Sequence, residues 1–245
     1  MESGLRLERP PLNILDLALL DELETACAAL AAQPDLQLVA VRGEGGKAFS
    51  AGVSIADHTP EKIERMLLGF HGALRRLRDL DAFTVALVDG HCLGGGMELA
   101  CVCDYVVASE RSRFGQPEIQ LGCFPPVAAA LLPRRIGAAR TLELLLTGRT
   151  LPASEAHALG LAHELVADAA ALDRRAEELA EALSAKSAVA TRLAKRAVRA
   201  GEEHGFDAAL AAAERLYLDE LAASADMAEG TAAFLGKRPP TWRHR

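Results

Sequence analysis

The chain has 245 residues, half of them hydrophobic, and a formal net charge of −7. That length can bury one core with an appendage, the acidic balance argues against nonspecific nucleic-acid binding as the main role, and the longest apolar runs are too short and Ala-rich to span a membrane. Cys27, Cys92, Cys101, Cys103 and Cys123 are odd in number and lack metal-ligand spacing, so they read as reduced, mostly buried thiols, and the first residues, MESGLRLERPP, lack the apolar stretch of a signal peptide, which points to the cytoplasm.

In chain order, an extended piece at residues 5–7 runs into a turn at Pro10 and Pro11. Asp16 is placed to cap a helix whose Leu20, Leu23, Cys27 and Leu30 share one face, ending near Pro34. Residues 36–42 alternate and branch like a strand, and residues 43–58, GEGGKAFSAGVSIADH, are rich enough in glycine and small residues to interrupt regular structure. Thr59 as N-cap and Pro60 in the first turn open a helix that buries Ile63, Met66, Leu67, Phe70, Leu74 and Leu77. A buried strand at 84–88 leads to the turn Gly94, Gly95, Gly96 and a helix over 97–103, and a second strand follows at 104–108. This alternation predicts an α/β core.

Beyond Glu118 the pattern becomes helical. Residues 123–136 read as a proline-started helix that Pro133 breaks or bends, residues 141–146 and 152–159 as short helices, the second closed by Gly160, and 161–166 as a last strand. From Asp168 onward the apolar positions recur at helical spacing, and those stripes require the core or a neighbouring subunit to cover them. Lys195, Arg196 and Arg199 read as a solvated helix face.

The chemistry concentrates at residues 89–118. A glycine turn feeding a helix lets backbone approach a ligand and aims unpaired N–H groups at it. Glu98 in the first helical turn and Glu118 beyond the next strand can reach a substrate from different elements, and two acids beside such a turn suit proton transfer next to a carbonyl. Taken alone, each feature has a plainer reading. The glycines also serve as a packing turn, Glu98 as a complement to a helix N-terminus, and Glu118 as a surface acid. His71, among Phe70 and Leu74, reads as structural, while His58 stays open as a candidate base.

PPLNIL at 10–15, KAFSAGVSI at 47–55, DGHCLGGGMELACVCDYVVAS at 89–109, FGQPEIQLG at 114–122 and AFLGKRPPTW at 233–242 together resemble the crotonase superfamily of enoyl-CoA hydratases and isomerases, over nearly the whole chain. The resemblance implies a ββα superhelix core over 1–185 with a helical region at 186–245 for trimerisation and active-site cover. It implies an oxyanion hole from the Val53 and Gly95 amides, with Glu98 and Glu118 as the catalytic pair. Lys47, Ser50, Ala51 and Ile55 fall on the loop that in relatives wraps CoA, and Phe234 and Lys237 on a tail that reaches toward CoA, commonly from a neighbouring subunit.

The implied substrate is an acyl-CoA thioester, with no cofactor beyond the CoA it carries, no metal, no nucleic acid or membrane partner, and a homotrimer or a dimer of trimers. FPPVAA at 124–129 and ADHT at 56–59 resemble most the cyclohexa-1,5-diene-1-carbonyl-CoA hydratases. Pro126 stands where ordinary hydratases have a glycine whose N–H helps hold water, and proline has no such donor. Ser54 stands where many relatives have aspartate, either of which can cap a short helical turn. A double-bond isomerase, and a non-catalytic CoA-ester or RNA-binding protein on the same scaffold, are the alternatives.

Overall fold

The computed structural model describes residues 2–245. Strand β1 (Glu2–Leu7) and helix α1 (Leu17–Ala31) precede a repeated unit of strand, short turn, strand and helix. Its first copy is β2 (Leu38–Gly43), β3 (Ala48–Ser50) and α2 (Ile63–Arg78); its second is β4 (Phe83–Val88), β5 (His91–Leu93) and α3 (Gly95–Val102). The third is β6 (Tyr105–Ser109), β7 (Arg113–Gly115) and, after a 3-10 turn at Pro117–Leu121, α4 (Pro126–Ile136). Helix α5 (Ala138–Thr147), β8 (Thr150–Pro152), α6 (Ala153–Leu159) and β9 (Glu164–Val166) complete the core. Each unit gives one strand to each of two sheets, a parallel one ordered β1-β2-β4-β6-β9 and a smaller one ordered β3-β5-β7-β8.

The five-stranded sheet explains the continuous apolar runs in its strands. Val39, Val41, Ala86, Val88, Val106 and Ala108 face the main core, while the alternate residues Leu38, Ala40, Val85, Leu87 and Val107 pack under Leu172 and Ala176 of α7 (Ala169–Ser184). A parallel sheet buried on both faces leaves no polar alternation to read. After α7 come α8 (Ala188–Glu203), α9 (Phe206–Arg215), a π-helical turn at Leu216–Leu221 and α10 (Ala225–Leu235). Among the described residues no helix is long and apolar enough to cross a membrane.

Several local expectations need correction. The segment 43–58 holds strand β3 and a 3-10 turn, Ile55–Asp57, because its backbone pairs with β5 even though its side chains are small. Ser54 precedes that turn and accepts from the Asp57 amide through its backbone carbonyl, with no capping bond from its hydroxyl. Helix α2 begins at Ile63, the Thr59 carbonyl taking the Lys62 and Ile63 amides in a preceding turn. Pro133 lies inside α4 without ending it, since Ala128, Leu132 and Ile136 anchor successive turns in the core.

The cluster Lys195, Arg196 and Arg199 is not a uniformly solvated face. Lys195 Nζ and Arg199 Nη2 each lie 2.6 Å from Asp104, while Arg196 pairs with Asp81 at the surface. Asp104 also accepts from the Thr84 amide and hydroxyl, so one carboxylate ties β4, β6 and α8 together.

Candidate active site

Helix α3 is buried along its whole length, and it starts directly after the glycine turn that ends β5. Glu98 is therefore carried into the interior, where only 3% of its surface remains exposed. Its Oε1 accepts the Ala128 amide at 2.7 Å, from the first turn of α4. Burial pushes the Glu98 pKa up to about 7; the Ala128 amide opposes that shift and the nearby Glu118 carboxylate adds to it. The N-terminus of α4, through the Ala128 amide and then that of Val127, thus opposes the burial that favours the neutral acid.

Glu118 arrives from the opposite side, on the 3-10 turn after β7. Burial raises its pKa too, while its own backbone amide and the charge of His58 pull it down. The fully buried Gln116, with its NH2 group turned toward Glu118, stands 3.2 and 3.1 Å from the two carboxylate oxygens. Sequence reasoning missed both Gln116 and the Ala128 amide; the signal for the first was its place two residues before Glu118, and for the second nothing local existed.

Gly94 has φ of +53°, and a Cβ there would stand 2.6 Å from Glu118 Oε1, so only glycine lets the carboxylate rest against the turn. A Cβ on Gly95 would lie 2.6 Å from Val53 Cγ2 and 3.3 Å from the Val53 amide nitrogen. The two loops meet at these two residues. The bridge beside Leu15 uses the Gly52 carbonyl and the Ser54 amide, which leaves the amide of Val53 on the other side. Gly95 is the first residue of α3 and has no acceptor within its own helix. Two adjacent amides without backbone acceptors among the described residues therefore border the same space as the two acids.

That space is a cleft of about 460 Å³, and Ala51, Val53, Ile55, Gly95, Glu98, Glu118 and Pro126 all line it. Its other walls are apolar, with Met66, Phe70 and Phe124 prominent. His58 lines the mouth, and its Nδ1 donates to the Ser54 carbonyl at 2.9 Å, which leaves Nε2 free. Ser50 is buried behind the loop, its hydroxyl donating to the Asn13 carbonyl at 2.7 Å and accepting from the Gly52 amide. Lys47, Phe234 and Lys237 are exposed and lie outside the cleft of their own chain.

Residues 4–245 match a family profile described as Enoyl-CoA hydratase/isomerase. The chain is 40% identical to a cyclohexa-1,5-dienecarbonyl-CoA hydratase of Thauera aromatica, over 98% of this chain and 92% of that one. It is 37% identical to a probable enoyl-CoA hydratase of Mycobacterium tuberculosis, over 98% and 93%. The crystal structure of an enoyl-CoA hydratase from Bacillus anthracis superposes with a TM-score of 0.92 at 31% identity, covering 99% of this chain and 95% of the other. A match of this extent in sequence and fold, with the glycine turn and both acids in one cleft, means that the chain belongs to the enoyl-CoA hydratase/isomerase family.

Proposed function

We propose that this protein adds water to the double bond of an α,β-unsaturated acyl-CoA thioester. The observation that carries the reading is the meeting of the buried Glu98, the half-buried Glu118 and two unengaged amides, Val53 and Gly95, around one apolar cleft. As water adds to the β-carbon, negative charge builds on the thioester oxygen, and preformed N–H donors stabilise that state more than the ground state. Glu98, with a pKa of about 7, has the strength of a base that takes a proton from water at neutral pH. Glu118 delivers a proton to the α-carbon, and the proton Glu98 gains is passed back through the pair before the next turnover. The sum is one water consumed and one C–O and one C–H bond made.

The water is held by the carboxylates themselves. Pro126 contributes no N–H, and the Ala128 amide of the same helix is already spent on Glu98. The finer reading is a cyclic dienoyl thioester such as cyclohexa-1,5-diene-1-carbonyl-CoA, supported by the FPPVAA and ADHT segments and by the Thauera aromatica relative. CoA enters as part of the substrate, along the loop of Lys47, Ser50, Ala51 and Ile55, and no further cofactor is required.

The same reading assigns residues 186–245 to assembly. Phe206, Leu218, Phe234 and Leu235 of this region, with Leu142 and Leu146 of α5, are each more than half exposed, apolar residues that a homotrimer or dimer of trimers would cover. Phe234 and Lys237, remote from their own cleft, would then serve a neighbour's CoA. The test is turnover of the purified protein with crotonyl-CoA, longer linear enoyl-CoAs and cyclohexa-1,5-diene-1-carbonyl-CoA, followed by mass spectrometry. A gain of one water is expected, with the ring substrate preferred. Movement of the double bond without uptake of labelled oxygen would make the protein an isomerase instead.

A further inference from the structure

The two amides beside the acids are held in different ways. Gly95 opens α3, and the Gly94 carbonyl, which shares its peptide, accepts the Glu98 amide at 3.0 Å, so the helix itself aims that N–H. Val53 lies on a loop. Its peptide partner, the Gly52 carbonyl, accepts the Leu15 amide at 2.9 Å. A trans peptide points its C=O and N–H in opposite directions, so whatever fixes Gly52 also fixes the Val53 donor.

Ser50 holds Gly52 from the inside. Its fully buried Oγ donates to the Asn13 carbonyl at 2.7 Å and accepts the Gly52 amide at 3.2 Å. Gly52 is thereby tied to residues 13–15 at both ends, through the Ser50 hydroxyl at its amide and directly at its carbonyl. Asn13 is a firm anchor, since it is buried and its Nδ2 donates to the Glu44 and Ala48 carbonyls. The remaining bonds that join these two segments, from the Ala51 amide to the Leu12 carbonyl and from the Ser54 amide to the Leu15 carbonyl, are main chain to main chain. Ser50 also touches the other donor-bearing turn, because a Cβ on Gly96 would stand 2.7 Å from Ser50 Cβ. Its hydroxyl is outside the lining of the cleft and does not reach the substrate.

We propose that Ser50 is a positioning residue of the oxyanion hole, its hydroxyl holding the Gly52–Val53 peptide at the angle that aims the Val53 N–H at the thioester oxygen. The proposal rests on the hydratase reading and deepens it, from which atoms act to what holds one of them. A preorganised donor acts through its aim, and a misplacement of about 1 Å caused by a change away from the chemistry can cost about 100-fold in rate. Without the hydroxyl, the Gly52 amide and the Asn13 carbonyl are left buried and unpaired, and the loop must turn to satisfy them. Alanine would fill nearly the same space, so a role in packing alone predicts no catalytic effect.

The first readout is infrared difference spectroscopy of butanoyl-CoA and cyclohexanecarbonyl-CoA, isotope-labelled at the thioester carbonyl and lacking the double bond that takes up water, bound to the wild type and to Ser50→Ala. Donors in an oxyanion hole weaken the C=O bond, so the wild type should lower its stretching frequency and Ser50→Ala should lower it less; only folded, liganded molecules contribute to that signal. On the enoyl-CoA that the wild type turns over fastest, Ser50→Ala should reduce kcat by about 10-fold and leave KM within about 3-fold. Ser50→Cys, which keeps a weaker donor and acceptor in place, should fall between the two, and it decides the matter if the alanine variant does not fold. The full wild-type frequency shift in the variant, or an unchanged kcat, overturns the proposal while wild-type hydration upholds the hydratase reading. A wild type that hydrates no ring or linear enoyl-CoA overturns the hydratase reading, and the carbonyl shift still decides the role of Ser50.

Discussion

Asp104 and the pair Glu98 and Glu118 are carboxylates brought into the same fold by neighbouring elements, and they are treated in opposite ways. Asp104 sits at the start of β6 with two cations at 2.6 Å and two donors from Thr84, every oxygen engaged. Burial pushes the Lys195 pKa down and Asp104 pulls it back, the balance of a paired ion. Glu98 is more deeply buried than Asp104 and has no ion-pair partner among the described residues, with the Ala128 and Val127 amides and a second acid nearby, and its pKa rises to about 7. Burial is common to both regions; what distinguishes a structural charge from a chemical one is whether the protein supplies its counterion. The fold completes the first site and leaves the second without a counterion among the described residues, which is what the proposed proton transfers need.

The comparison can be broken most directly at the unpaired acids. Glu98→Gln or Glu118→Gln should each lower kcat for water addition by about 10³-fold, with CoA-ester binding retained, as measured by steady-state kinetics beside direct titration with a substrate analogue. A variant that kept near-normal turnover would place the chemistry elsewhere. At the paired site, Asp104→Asn should cost about 3 kcal/mol of folding stability, because Lys195 and Arg199 are left partly buried without a counterion, while KM stays as it was. Urea unfolding and kinetics on the same sample test both halves of that statement.

The acids should also reveal their strain through pH. Folded Glu98 holds its proton more tightly than the unfolded chain does, so its contribution to stability is full below the ordinary carboxylate pKa and is lost as pH rises through about 7. Glu98→Gln should therefore match the wild type near pH 4.5 and exceed it by at most about 3 kcal/mol at pH 8. Thermal melts across that range would show parallel curves if the acid were not frustrated. The smallest effect is expected at Gln116, whose NH2 group favours the charged form of Glu118. Gln116→Leu should lower kcat by about 10-fold with little change in KM, and should move the basic limb of the pH profile, set by the proton-donating Glu118, upward.

Much of the architecture could be read along the chain because its causes are local. Asp16 caps α1 through the Leu19 amide, the apolar spacing of α2 matches its buried face, and the glycine turn is followed by the helix it announces. The short strands β3, β5, β7 and β8 could not be read, since three residues carry no period and exist only because a neighbour pairs with them. The cations of α8 misled for a related reason. Nothing in the run from Lys195 to Arg199 says that Asp104, more than ninety positions earlier, lies beneath it.

The candidate site divides along the same line. The order of residues alone determined that a glycine turn precedes Glu98, that Glu118 follows a later strand, and that the chain resembles one family, because motif spacing is a property of covalent neighbours. Tertiary structure decided that Glu98 meets the Ala128 amide, that Ser50 turns inward, and that Gln116 stands against Glu118. Each of those depends on the distance between atoms on separate elements, and only the packing of sheets against helices sets such distances.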